Sequence, residues 1–173
     1  MAGPVLMLDP VFVWPESTAL SRWMVESPSV FAFPLVLALH TIGLALLVGL
    51  NVALDFRILG VAPHIPVTAF RRFLPVMWAG FWLNAVSGVL LLVAYPTKAL
   101  TNPVFYLKLG LIGAATAILL AVRRRLLSER MPSSGAGPVK LLAVASLGCW
   151  AGAIIAGRLL AYTYSRLTAT GFH

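Results

Sequence analysis

The stretch Ser27–Leu54, SPSVFAFPLVLALHTIGLALLVGLNVAL, runs for 28 residues without an Asp, Glu, Lys or Arg. A helix needs about 20 mostly apolar residues to cross the hydrocarbon core of a bilayer. The stretch therefore predicts a spanning helix at about residues 29–54. Pro34 falls in its first turns, where a kink is expected. A second uncharged run, Phe73–Thr97, is 25 residues long and predicts a helix at about 74–95. Two later runs are shorter: 14 uncharged residues separate Lys108 from Arg123, and 17 separate Lys140 from Arg158. They can span only with Lys108 and Arg158 inside the helix, reaching for the surface with their long side chains. On that basis the third and fourth helices are placed at about 104–124 and 139–164.

The segments between the helices are polar and punctuated. Residues 55–73 hold Gly60, Pro63, Pro66 and three arginines, and residues 128–138 read SERMPSSGAGP, a loop by composition. Residues 1–28 form an external N-terminal segment broken by Pro4, Pro10 and Pro15. Within it Ser17–Glu26 predicts a short interfacial helix, capped by Ser17 or Thr18, with Leu20, Trp23 and Met24 on one side. The start has no basic run, and Asp9, Glu16 and the prolines interrupt it, so no secretory signal peptide is expected.

Composition agrees. Of 173 residues, 60% are apolar and 10% charged, against about a quarter charged in a soluble domain. Mean hydropathy is +0.94. A soluble enzyme, a nucleic-acid-binding domain and a disordered chain are excluded as descriptions of the whole. The net charge of +8 does not imply a nucleic-acid partner, because the positive residues sit in short runs between apolar segments. The single cysteine, Cys149, allows neither an intrachain disulfide nor a Cys-based structural zinc site. The expected fold is all-α and integral to the membrane: one domain, residues 1–173, built as a four-transmembrane-helix bundle.

Orientation follows from where the positive residues fall. The first and third connections carry eight: Arg57, Arg71, Arg72, Arg123, Arg124, Arg125, Arg130 and Lys140. The opposite side has five, of which Lys108 and Arg158 lie inside helices. The positive-inside rule then puts both termini outside the cytoplasm.

Polar groups within hydrocarbon are costly unless satisfied, so they mark sites. His40 sits near the middle of the first predicted helix, roughly 16 Å below its outer end. Asn51 and, more loosely, Asp55 share its face. Asn84 lies at mid-depth on the second helix, with Met77, Gly80, Ser87 and Gly88 on one stripe, so a His40–Asn84 or His40–Ser87 contact is expected. Two readings of His40 stay open. It is an axial ligand to haem b or a related tetrapyrrole, or a neutral histidine hydrogen-bonded between helices. His64 falls in a loop and His173 is the last residue, so no second intramembrane histidine exists. A haem would take Met77 as sixth ligand, stay five-coordinate, or use His40 of a second copy. Copper is a further option for His40 as a metal ligand, although Cys149 and the methionines are scattered.

Lys108 and Arg158 lie at outer depth, where they snorkel, pair with Glu26, or meet an anionic ligand such as a haem propionate. Trp14, Trp23, Tyr106, Tyr162 and Tyr164 form an aromatic belt at the same level. Asp55 can pair with Arg57, Arg71 or Arg72. Gly148, Gly152 and Ala156, with Ala153, Gly157 and Ala161, permit close helix packing, within the bundle or in an oligomer. No nucleophile–base pair, paired carboxylates or phosphate loop is found, which leans against an enzyme.

The run His40-Thr-Ile-Gly43 followed by Asp55-Phe-Arg57-Ile-Leu-Gly60 resembles the first helix of a group of small bacterial four-helix inner-membrane proteins. Arg71-Arg72-Phe73, Trp78-Ala-Gly80-Phe81, Ser87-Gly88 and Asn102-Pro103-x-Phe105-x-x-Lys108 extend the likeness over about residues 26–125. More distantly the order is similar to copper-resistance CopD-like membrane domains. The resemblance implies an inner-membrane bundle that binds haem or handles copper. The chain departs from that broad group in having no intramembrane histidine after His64; its third helix ends Ala-Val-Arg-Arg-Arg. The function expected is a non-catalytic membrane subunit carrying haem for electron transfer. The alternatives are a cofactor-free structural or assembly subunit of a larger complex, and a copper or small-solute transport component.

Overall fold

The computed structural model describes residues 18–127 and 137–169, in which helices are joined by short turns. The elements are α1 (Ala19–Glu26), α2 (Phe33–Leu59), a 3-10 segment (Val67–Phe73), α3 (Leu74–Ala94), α4 (Pro96–Leu100), α5 (Pro103–Leu127) and α6 (Gly137–Ala169). Four helices are long and apolar enough to cross a membrane. These are α2, α3 with its 3-10 lead-in, α5 and α6, in the order the hydropathy predicts. Of the residues singled out in the sequence, Trp14, Ser17 and Arg130 lie outside the described residues, as do the side chains of Tyr164 and Ala161.

Proline sets where the long helices begin. Pro34 and Pro75 occupy the first turn of α2 and α3, Pro103 opens α5 and Pro138 is second in α6. A first-turn proline gives up an N–H that has no partner in any case. The kink expected at Pro34 is therefore absent: α2 starts at Phe33, not near residue 29. Before it, Ser27 and Ser29 turn the chain, their hydroxyls accepting from the N–H of Ser29 and Phe31 at 3.2 Å each. At the other end α2 continues past Leu54 to Gly60, which stops it at φ 112°, a conformation open to glycine. The later start also moves His40. It lies about 10 Å from the head of α2, in the N-terminal third of the helix and not at its middle.

α1 is capped by Thr18, whose Oγ1 accepts from the N–H of Ser21 at 3.2 Å. It packs on α3 through Ser21 and Met24, with Met24 against Ala94, Leu90 and Leu91. Leu20 and Trp23 stay uncovered.

α2 is the central helix. It packs along α3 on one side and against α6 on another, and α5 packs on α6. α3 and α5 are not closely packed backbone to backbone and meet through side chains such as Met77, Ala115 and Leu119. The four helices thus form an arc in the order α3, α2, α6, α5. The tightest crossing is α2 on α3 at Gly43 and Gly80. A Cβ on Gly43 would stand 2.6 Å from the main-chain N of Asn84, and one on Gly80 would stand 2.9 Å from that of Leu47. Below this crossing, toward the arginine-rich end, the arc is filled. Leu47, Val48, Met77, Ala115, Leu119 and Trp150 make one core, and Leu54, Ile58, Val122, Val139 and Ala143 a second. Gly152, Ala153 and Ala156 of the small-residue stripe turn inward, Gly152 toward Leu111, while Gly148 is exposed.

The outward surface remains apolar, with Leu141, Phe31, Trp82, Ile155 and Val89 among the exposed side chains. No soluble protein of this size leaves such a surface to water. The chain is a multi-pass membrane protein by the length and apolarity of its helices.

Candidate functional site

Above the Gly43–Gly80 crossing the arc is not filled. A cavity of about 210 Å³ opens there among all four long helices. α2 contributes Phe33, Leu37 and His40, spaced four and three apart on one face. α3 contributes Gly88, Leu91 and Tyr95. Phe105 and Lys108 come from α5, and Gly157 and Leu160 from α6. Ala99 of the short α4 lies over the outer end, held there by the Tyr106 hydroxyl donating to the Leu100 carbonyl at 2.9 Å. Phe33 and Tyr95 meet edge to face at 5.7 Å across the same end.

His40 is fixed by α3. Its Nδ1 lies 3.1 Å from the main-chain carbonyl of Asn84 and 3.1 Å from Ser87 Oγ. A carbonyl only accepts, so Nδ1 carries the proton and donates. The Ser87 hydroxyl donates in turn to the Leu83 carbonyl at 2.6 Å, leaving its lone pairs for the imidazole. This assignment leaves Nε2 unprotonated. Its contact among the described residues is Asn84 Nδ2 at 3.5 Å, the limit of a hydrogen bond. Asn84 spends its amide elsewhere, donating to the His40 main-chain carbonyl at 2.8 Å. Both expected contacts of His40, with Asn84 and with Ser87, are thus formed. Gly88 makes room for the ring: a Cβ there would stand 3.3 Å from His40 Cε1.

Lys108 is the cation of the cavity. Its side chain passes over Gly157, with Nζ 3.7 Å from where a Cβ there would be, an ordinary contact distance. Pairing with Glu26 is not seen: Glu26 is exposed on α1 and does not line the cavity. Arg158 is exposed and does not line the cavity. Met77 belongs to the core beneath, beside Leu47 and Trp150. Leu47 is seven residues from His40, about 10 Å along α2, so Met77 is not placed as a sixth ligand. Cys149 packs against the same core. Among the described residues no three His, Cys, Asp or Glu side chains gather as a metal-ion site.

Among the described residues, the cavity would offer a tetrapyrrole one ligating side chain, the His40 imidazole. An imidazole whose Nδ1–H is held by a backbone carbonyl presents Nε2 in a fixed orientation, the usual outer-shell arrangement for a ligating histidine. The space is small beside the ~300–1,000 Å³ of typical small-molecule sites. A tetrapyrrole is larger than this space and would have to extend beyond it.

A second polar group lies near the arginine-rich end. Asn51 Nδ2 donates to Asp55 Oδ2 at 2.9 Å and to Ser146 Oγ at 2.8 Å, tying α2 to α6. All three are at most 2% exposed. The expected pairing of Asp55 with Arg57 is not formed. The Arg57 guanidinium turns to the loop carbonyls of Pro63, at 3.0 Å, and Ile65, and fixes the turn after α2. Of the arginine run, Arg123 stacks over Trp78 with its Cζ 5.4 Å from the ring centroid.

Sequence reasoning found His40, Asn84, Ser87 and Lys108 because polar residues stand out in apolar helices. It missed Phe33, Leu37, Tyr95 and Phe105, whose apolar side chains look like any lipid-facing residue, and Ser146, which hydropathy does not flag. Comparison with protein-family models, with curated proteins and with solved structures gives no match.

Proposed function

We propose that the chain is an inner-membrane subunit that binds haem b, or a related tetrapyrrole, through His40 Nε2 and serves electron transfer. One observation carries this reading: His40 lines the cavity with its Nδ1 proton already committed to the Asn84 carbonyl, so Nε2 is left to ligate. Lys108, in the facing wall, supplies a cation for a propionate. When bound, a haem supplies a one-electron redox couple. The protein's part is to orient the imidazole, to pair the carboxylate and to keep the centre dry with Phe33, Leu37 and Phe105. With Met77 in the core below, His40 would be the protein ligand that one chain offers the haem, and His40 of a second copy could supply another.

The eight positive residues of the first and third connections support a cytoplasmic location for that side, with both termini outside. α1 then lies at the outer interface with Leu20 and Trp23 toward the headgroups. The likeness to CopD-like domains is in keeping with an intramembrane histidine of this kind.

The test is the absorption spectrum of detergent-purified protein, oxidised and dithionite-reduced. A Soret band that shifts on reduction, at near one haem per chain, is expected. A colourless preparation that takes up no added haemin removes the reading.

A second reading has its own support. The reciprocal bonds of His40 and Asn84 sit just above the Gly43–Gly80 crossing, where they lock α2 to α3. On that reading His40 is structural and the chain is a cofactor-free subunit of a larger membrane assembly. It predicts a stability loss in His40→Ala and no chromophore in the parent.

A further inference from the structure

The cavity's walls restrict what can enter it and from where. α4 and the Phe33–Tyr95 pair lie across its outer end. The core around Leu47, Met77 and Trp150 fills the bundle beneath it. α2 packs on α3, α2 on α6 and α5 on α6, which closes three of the four seams. The seam between α3 and α5 is joined by side chains in its arginine-rich half, where Met77 shares a core with Ala115 and Leu119 and Arg123 stacks over Trp78, but it lacks the close backbone packing of the other three. In a spanning bundle the half of that seam beside the cavity borders the bilayer, so a ligand entering by it comes through lipid.

The chemistry inside is equally restrictive. Leu37, Leu91, Leu160 and Phe105 offer an apolar body surface, against the polar ends of Lys108 and His40. Only two acids fall among the described residues. Glu26 is exposed on α1, and Asp55 is bound to Asn51 far below. Neither lines the cavity with Lys108. An ammonium inside a bilayer calls for a partner, because the energy of an unpaired charge there is high. One ammonium matches one negative charge. A phosphate monoester would bring a second charge, and a phosphodiester headgroup more bulk than the small cavity accepts.

We propose that this cavity takes a lipid-soluble carboxylic acid, which enters sideways between α3 and α5 and pairs its carboxylate with the Lys108 ammonium. The proposal rests on the cavity's being a ligand site and does not depend on the ligand's being haem. A fatty acid and a propionate-bearing tetrapyrrole share the chemistry.

The experiment uses the full chain in lipid nanodiscs with a diazirine-bearing fatty acid as photoprobe. Oleic acid and methyl oleate are the competitors, and the labelled peptide is mapped by mass spectrometry. Labelling is expected on the facing sides of α3 and α5. Oleic acid should compete about tenfold or more better than its ester, and Lys108→Gln should lose labelling by a similar factor while Lys108→Arg keeps it. Gly157→Leu fills the space beside Lys108 without touching its charge. It should abolish labelling too, which keeps the test decisive if Lys108→Gln does not fold. Equal competition by acid and ester, labelling mapped to the outer faces of the helices, or full labelling in folded Lys108→Gln overturns the proposal. The same preparation is read for a Soret band. Acid-selective labelling without the band removes the haem reading and leaves this one. A band with acid-indifferent labelling does the reverse.

Discussion

His40 and Asn84 bind each other twice, in opposite senses. The imidazole Nδ1 donates to the Asn84 main-chain carbonyl at 3.1 Å, and the Asn84 amide donates to the His40 main-chain carbonyl at 2.8 Å. The pair joins α2 to α3 and fixes the ring at once. Structure and site are therefore hard to separate at this point, and the variants that separate them are the informative ones.

If His40 is a ligand, His40→Ala abolishes the chromophore in otherwise folded protein. Asn84→Leu removes the amide donor but keeps the carbonyl that holds Nδ1. It should keep the chromophore and lose stability by about 0.6–1.7 kcal/mol, the range for interhelical hydrogen bonds in membranes. Absorbance and thermal melts in detergent give both quantities. A Soret band at full occupancy in His40→Ala would assign the ligand elsewhere.

Gly43 and Gly80 should tolerate nothing larger. A Cβ at either meets main-chain atoms at under 3 Å, which rotamer changes do not relieve. Gly43→Ala and Gly80→Ala should each cost about 1–3 kcal/mol through forced separation of the helices. Gly148→Ala is the control: it meets nothing within 4 Å and should leave the melt unchanged.

The Asn51–Asp55–Ser146 group gives a graded series. Ser146→Ala removes one acceptor of Asn51, for a loss near 1 kcal/mol. Asn51→Leu strips a buried carboxyl of a donor and should cost more, about 1–3 kcal/mol. Asp55→Asn keeps a hydrogen-bonding side chain of the same shape and should fall closest to the parent. Denaturant-resistance assays that rank Asn51→Leu no worse than Ser146→Ala would mean that Asp55 does not depend on this bond.

Topology is checked with single cysteines on a Cys149→Ser background. A cysteine at Arg124, exposed at the arginine-rich end of α5, should be blocked by membrane-permeant reagents alone in intact cells. One at Thr101, in the turn before α5, should react with an impermeant maleimide. The opposite pattern inverts the orientation drawn from the charge count.

Much of this protein was legible in the residues alone. Uncharged runs such as Ser27–Leu54 leave a chain no alternative to helix in hydrocarbon, because every N–H and C=O must be satisfied within the segment. Polar residues in those runs stand out for the same reason, and so His40, Asn84 and Lys108 were visible. The boundaries were less so. Pro34 starts a helix as readily as it bends one, and only the turns made by Ser27 and Ser29 show which it does.

What the tertiary structure decided was which of the polar residues meet, and where the bundle is left open. Helical spacing put Met77 and Asn84 on one stripe of α3, yet they stand at different depths opposite α2. Asn84 reaches His40, and Met77 packs beside Leu47. Asp55 was matched to arginines by nearness in sequence, whereas its partner Asn51 is one turn back and shares a bond with Ser146 on α6. Periodicity gives the face of a helix but not the register of one helix against another. Register here is set by backbone contact at Gly43 and Gly80, which depends on the absence of side chains at both positions together.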